Sequence, residues 1–134
     1  MAKRLLKFLR YFWAFPNTLL GLLAAFLAVC TGGKARVVRG ALEVHGGFAT
    51  RLLSGWVPWI RHASAMTLGH VILGQDQACL NHSRNHEHVH VRQYERWGPL
   101  MLPAYLGCSW VLYFRGCDPY LDNPFEREAY DQTP

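Results

Sequence analysis

A chain of 134 residues that is 51% hydrophobic, with five Trp, six Tyr and seven Phe, has room for one domain with a modest core and is too apolar to be disordered. The formal net charge is +5, but the Lys and Arg residues form no aromatic-interleaved block of the kind that tracks nucleic acid, so a nucleic-acid partner is not expected. They gather at the amino end (Lys3, Arg4, Lys7, Arg10) and after the first apolar run (Lys34, Arg36, Arg39), a distribution that suits an anionic membrane surface.

Residues 1–10 are basic and amphipathic. From Tyr11 to Cys30 the chain is nearly continuously apolar, interrupted by Pro16, Asn17 and Gly21. The cleanest part, Thr18–Cys30, falls short of the roughly 20 residues that a spanning helix needs. Extension back to Tyr11 supplies that length, with Pro16 as a kink and Trp13 as an interfacial anchor. A signal peptide is a rival, but no A-x-A site follows, and Val29 before Cys30 is a poor lipobox. A helix packed on the domain's own core is another. The favoured expectation is membrane association, by a span or a half-embedded helix, which divides the chain into an associating segment (residues 1–33) and a domain (residues 34–134). Basic residues on both flanks leave the orientation open.

Thr31-Gly32-Gly33 breaks this segment. Ala35–His45 reads as two short strands turning at Arg39-Gly40, closed by Gly46-Gly47. Residues 48–61, with Trp56, Pro58 and Trp59, read as loop plus a short helix. Met66–Leu73 is the best strand pattern, with Met66, Leu68, His70 and Ile72 on one face and His70 half-exposed. Gly74-Gln75-Asp76 turns it out.

The main helix is expected from Asn81 to Trp97, capped by Asn81 or Ser83 and stopped by Gly98-Pro99. An almost wholly apolar helix follows from Leu100 to Phe114, either as a buried core helix or as one dipping into a membrane. After a loop over Cys117–Asp122, Asn123-Pro124-Phe125-Glu126 opens a last helix, with Asn as N-cap, Pro at the first position and Glu at the third. The four cysteines (Cys30, Cys79, Cys108, Cys117) form no metal-knuckle spacing and read as buried small hydrophobes. Cys108 and Cys117 could pair in an oxidising compartment.

Chemistry enters on the main helix. His86-Glu87-His88-Val89-His90 has the form H-E-x-x-H. On a helix, His86 and His90 lie one turn apart on one face, where two neutral imidazoles fix two corners of a tetrahedral zinc site. Catalysis needs a third protein ligand and an open corner for water, whose pKa the metal lowers. Glu87 stands where a carboxylate can take that water's proton and deliver it to a leaving amine. Four His within residues 82–90 also allow a blander reading, a His-rich surface that scavenges metal. The third-ligand candidates are Glu126, Glu128, Asp118, Asp122 and Asp131. Glu126 could instead close a capping box on Asn123, and Glu128 could be a solvated helix residue.

The run HEHVHVRQYERWGPL, followed some thirty residues later by NPFEREAY, resembles the zincin metalloproteases of the gluzincin branch. The likeness is to small bacterial members whose second helix carries E-x-x-A-D or E-R-E-A-D, and it covers residues 65–131. The resemblance implies an α+β, zincin-like minimal metallopeptidase domain of short antiparallel strands, an H-E-x-x-H helix, an apolar helix and a Glu-bearing C-terminal helix. It implies Zn2+ held by His86, His90 and Glu126, with Glu87 as general base and a peptide or protein as substrate. The family's Asp after Ala supports a ligand His; here Tyr130 holds that place, with Asp131 next. The family also has a substrate-binding edge strand before the H-E-x-x-H helix, and Met66–Leu73 looks like it. Tyr130, Tyr120 and His70 are the candidates for a donor to the oxyanion. With the apolar N-terminus, the expectation is a small zinc peptidase associated with membrane lipid, at a bacterial inner membrane. The rival from another class is a metal-binding membrane protein without catalysis.

Overall fold

The computed structural model describes residues 1–54 and 63–133. The elements run α1 (Ala2–Cys30), β1 (Lys34–Val38), β2 (Ala41–His45), α2 (Phe48–Leu53), β3 (Ala65–Leu68), β4 (Val71–Gly74), α3 (Gln77–Trp97), α4 (Met101–Phe114) and α5 (Pro124–Gln132), with a 3-10 turn over Gly98–Leu100. The class is α+β, as expected. The short helix expected after Gly47 is α2, whereas Trp56, Pro58 and Trp59 lie outside the described residues.

The strands form one sheet in the order β1-β2-β4-β3. It is mixed, which corrects the expected antiparallel set. β1-β2 and β3-β4 are antiparallel hairpins, while β2 and β4 pair in parallel. A parallel neighbour needs a long crossover, and the chain carrying α2 and β3 supplies it. At the first hairpin Arg39 (φ 52°) and Gly40 (φ 81°) are both left-handed, the geometry that lets a two-residue turn match strand twist.

Met66–Leu73 is not one strand. Gly69, at φ 63°, folds it into β3 and β4. A side chain there would meet the Thr18 backbone nitrogen at 2.4 Å, so close approach to α1 demands glycine. His70 therefore sits in the turn, only 5% exposed. Its ring stacks on Tyr11 of α1 at 3.8 Å, and its backbone N–H donates to Thr18 Oγ1 at 3.0 Å.

α1 is a single 29-residue helix that runs through Pro16, and it is the one helix among the described residues long and apolar enough to cross a membrane. Its buried residues are Ala14, Asn17, Gly21, Ala24, Ala25 and Ala28, a stripe at helical spacing. Ala24, Ala25 and Ala28 share a core with Val44, Leu53, Val71 and Leu73, so a boundary at residue 33 does not divide the core. Small residues are required there: a side chain at Gly21 would lie 2.6 Å from Val71 Cβ.

α3 begins four residues before its expected start, because Asp76 caps it by accepting from the Cys79 N–H at 2.7 Å. Arg84 clamps α3 to the sheet with two bonds, 2.8 and 2.9 Å, to the buried Glu43 carboxylate of β2. Arg84→Ala strands that carboxylate without its partner and is expected to cost about 3 kcal/mol in denaturant unfolding. α4 is not a buried core helix: only Met101 is buried, and Trp110, Tyr113 and Phe114 are exposed. All four cysteines are free, Cys108 and Cys117 included, and only partly buried or exposed.

Candidate metal centre

α3 and α5 cross so that three donor groups meet. His86 Nε2 lies 2.9 Å from Glu126 Oε2, His90 Nε2 lies 3.1 Å from Glu126 Oε1, and the two imidazole nitrogens are 3.3 Å apart. Zinc bonds of about 2.0–2.1 Å at the tetrahedral angle put neighbouring donor atoms about 3.3 Å apart. Two histidines and one carboxylate at these separations fit zinc in both chemistry and spacing, and account for three corners of a tetrahedron.

Glu126 reaches the histidines because α5 starts where it does. Asn123 caps the helix by accepting from the Phe125 N–H at 3.0 Å, and Pro124 occupies the first position without needing a hydrogen-bond partner. The capping box does not close. The Asn123 N–H donates to Tyr120 O, while Glu126 receives His86, His90 and, at 2.9 Å, the Tyr105 hydroxyl. Glu128 turns away to pair with Arg96 and to accept from Gln93 Nε2 at 3.1 Å. Asp118 and Asp122 hold the loop before α5, Asp118 Oδ1 accepting from the Tyr120 and Leu121 N–H groups and Asp122 Oδ2 from the Asp118 N–H. Asp131 is exposed. Among the described residues, His86, His90 and Glu126 form the one group of three or more such side chains spaced to hold a metal ion. His82 is exposed, and His88 points into the protein with its Nε2 unpartnered. The histidines therefore do not act as one surface patch.

Glu87 is only 5% exposed, and its Oε2 accepts from the Thr67 hydroxyl of β3 at 2.6 Å. Burial raises its pKa against the opposing pull of His90, Thr67 and His86. A carboxylate shifted upward is better matched to proton transfer near neutral pH than a solvated one. Burial works to raise the Glu126 pKa, but hydrogen bonds from His86 and His90 outweigh it and hold the carboxyl at about 2. For His90, burial works to lower the pKa, and the hydrogen bond to Glu126 with the Glu87 and Glu126 charges outweighs it, giving about 9. The metal-free pair is therefore an ion pair. Zinc needs His90 neutral, so its proton must leave on loading. Apparent zinc affinity is expected to rise about tenfold per pH unit below about pH 9 and to flatten above it, as a chelator-competition titration would read out.

The support for His90 comes from its own helix. Gln93 is fully buried, and its Nε2 donates to Phe125 O at 2.9 Å, which fixes the amide's direction. Its Oε1 then accepts from His90 Nδ1 at 2.8 Å. That bond keeps the proton on Nδ1 and leaves the Nε2 lone pair for the cluster. Gln93→Leu is expected to weaken zinc binding roughly 10–100-fold, and Gln93→Glu, which keeps an acceptor, to weaken it less. The Tyr130 ring packs against His86 at 4.5 Å, and its hydroxyl lies 3.1 Å from that of Tyr120. His70 belongs to the α1 contact, with Glu95 3.8 Å from its Nε2.

No protein-family model, curated protein or solved structure matches the chain. Functional inference therefore rests on the site. Sequence reasoning missed Thr67 and Tyr105 as site residues. Tyr105 sits in an apolar run where nothing marks it, and Thr67 is one polar residue in a strand. Gln93 carried a usable signal, one turn beyond His90 on the helix.

Proposed function

We propose that the chain is a zinc-dependent peptidase of zincin type that works at a membrane, a bacterial inner membrane by its resemblance. The observation that carries the reading is the convergence of His86 Nε2, His90 Nε2 and Glu126 within 4.8 Å of one another, with the buried Glu87 next to His86 on the same helix. His86, His90 and Glu126 would hold the ion. Bound zinc supplies Lewis acidity and brings the pKa of water toward neutrality. The protein's own groups do the rest. Glu87 takes the proton of the attacking water and returns it to the departing amine, and its Oε2 is aimed by Thr67. Gln93 and Tyr105 hold His90 and Glu126 in place. β3 is the outer strand of the described sheet and carries Thr67 beside Glu87, and a peptide adding along its edge would displace the Tyr94 hydroxyl from Thr67 O. Tyr130, whose ring packs on His86 and whose hydroxyl lies 3.1 Å from that of Tyr120, would be the donor to a carbonyl oxygen.

The test is hydrolysis of a quenched-fluorescence peptide library by zinc-loaded protein. Cleavage is expected to stop with a chelator and to return with zinc. No cleavage by fully loaded protein would contradict the peptidase and leave the non-catalytic metal-binding membrane protein.

A further inference from the structure

We infer that α1 lies in the plane of an anionic membrane surface, its outer face sunk into one leaflet, and does not cross the bilayer. This deepens the membrane part of the function proposed above and does not depend on the zinc chemistry.

A crossing helix must yield its surroundings to lipid over the full hydrocarbon thickness. α1 cannot do so while the fold is intact. A third of the way along, the Tyr11 hydroxyl donates to Gly40 O at 2.6 Å. At mid-length Asn17 Nδ2 donates to Gly98 O at 2.7 Å. Just past its end Thr31 Oγ1 accepts from the Phe48 N–H at 2.7 Å. These anchors are 20 residues apart, which is about 30 Å of helix and equals the thickness of the hydrocarbon core. If α1 crossed, the sheet would be fixed at the same depth. β1 is the edge opposite β3 and exposes Lys34 and Arg36. An open sheet edge does not survive in lipid.

The outer face fits an in-plane helix instead. Leu5, Phe8, Phe12, Leu19, Leu23 and Phe26 recur at helical spacing, and each is at least 55% exposed. They lie opposite the buried stripe. Lys3, Lys7 and Arg10 continue that stripe, Ala14-Asn17-Gly21, back toward the amino end at the same alternation of three and four residues. Past the edge of the domain, then, one side of α1 is basic and the other apolar. That is the pattern of a helix lying between headgroups and acyl chains. The basic side selects an anionic leaflet.

The experiment adds the full chain from dilute detergent to preformed phosphatidylcholine vesicles with or without phosphatidylglycerol. Cys30 continues the apolar outer face, four residues past Phe26, so the reporter thiols are placed off that face, at Lys3 on the basic side and at the exposed Lys34 just past the end of α1. In a Cys30→Ser, Cys79→Ser, Cys108→Ser, Cys117→Ser background, one chain carries Lys3→Cys and a companion carries Lys34→Cys, and each thiol is labelled with a membrane-impermeant maleimide. In-plane binding exposes both thiols to label outside the vesicle. Protection of either one until the vesicle is lysed would mean a span and would overturn the inference. A joint Lys3→Gln, Arg4→Gln, Lys7→Gln, Arg10→Gln variant is expected to lose more than tenfold in partitioning to anionic vesicles and little to neutral ones; equal partitioning would overturn the anionic surface as partner. Failure to bind either vesicle, with a dimer in sedimentation, would give the face to a second copy and overturn it too. Zinc content and peptide cleavage, followed in parallel, separate these outcomes from a failure of the peptidase.

Discussion

Glu87→Gln is expected to lower kcat/KM for peptide cleavage by about a thousandfold while leaving zinc bound, within the roughly 100- to 10,000-fold range of general acid–base catalysis. The substitution is nearly isosteric. Glutamine's oxygen can still accept from the Thr67 hydroxyl, so the bond that aims the side chain survives. The site is buried, and a neutral amide there removes a desolvated charge instead of creating one. Glu87 is outside the His86-His90-Glu126 group, so metal affinity has no reason to fall. What is lost is the ability to take a proton. Thermal unfolding should be no worse than in the parent chain. A loss of less than tenfold would mean that some other group is the base.

Glu126→Gln is expected to lose zinc by well more than the roughly 10–100-fold cost of deleting an outer hydrogen bond. It removes a charged donor and the counter-charge for both histidines. Without that carboxylate the His90 pKa falls from about 9, because the Glu126 hydrogen bond is the largest influence holding it up. The Asn123 cap does not depend on the Glu126 side chain, so α5 keeps its start. Glu128→Gln is the matched control. It breaks the Arg96 ion pair while its amide oxygen can still accept from Gln93 Nε2, and it leaves zinc affinity within a few-fold. Equal losses from the two substitutions, read by competition with a chromogenic chelator, would contradict the assignment of Glu126.

How far the chain could be read depended on whether a residue's signal was local. His86 and His90 announce themselves by helical spacing, and Asn123-Pro124 marks the start of α5 by capping chemistry that needs nothing beyond the next turn. Glu126 did not follow from those two: the residues alone left Glu126, Glu128, Asp118, Asp122 and Asp131 open, and only the resemblance pointed to Glu126. The Gly69 fold-back was hidden because it answers to Thr18, 51 residues earlier, and not to its own neighbours. The parallel pairing of β2 with β4 is likewise set by a crossover rather than by either strand's sequence. Asp76 was read as part of a turn when it was already the cap of α3. On α1, apolar length suggested a span, but the small residues Ala14, Gly21, Ala24, Ala25 and Ala28 were the informative ones, since they mark the face given to the domain.

The most direct measurement is the metal content of the purified full chain, by mass spectrometry of the metal after exposure to a slight excess of zinc and removal of what is free. Stoichiometric zinc is expected, retained in Glu87→Gln and lost in His86→Ala. A folded chain that holds no stoichiometric zinc would contradict a metal centre at His86, His90 and Glu126.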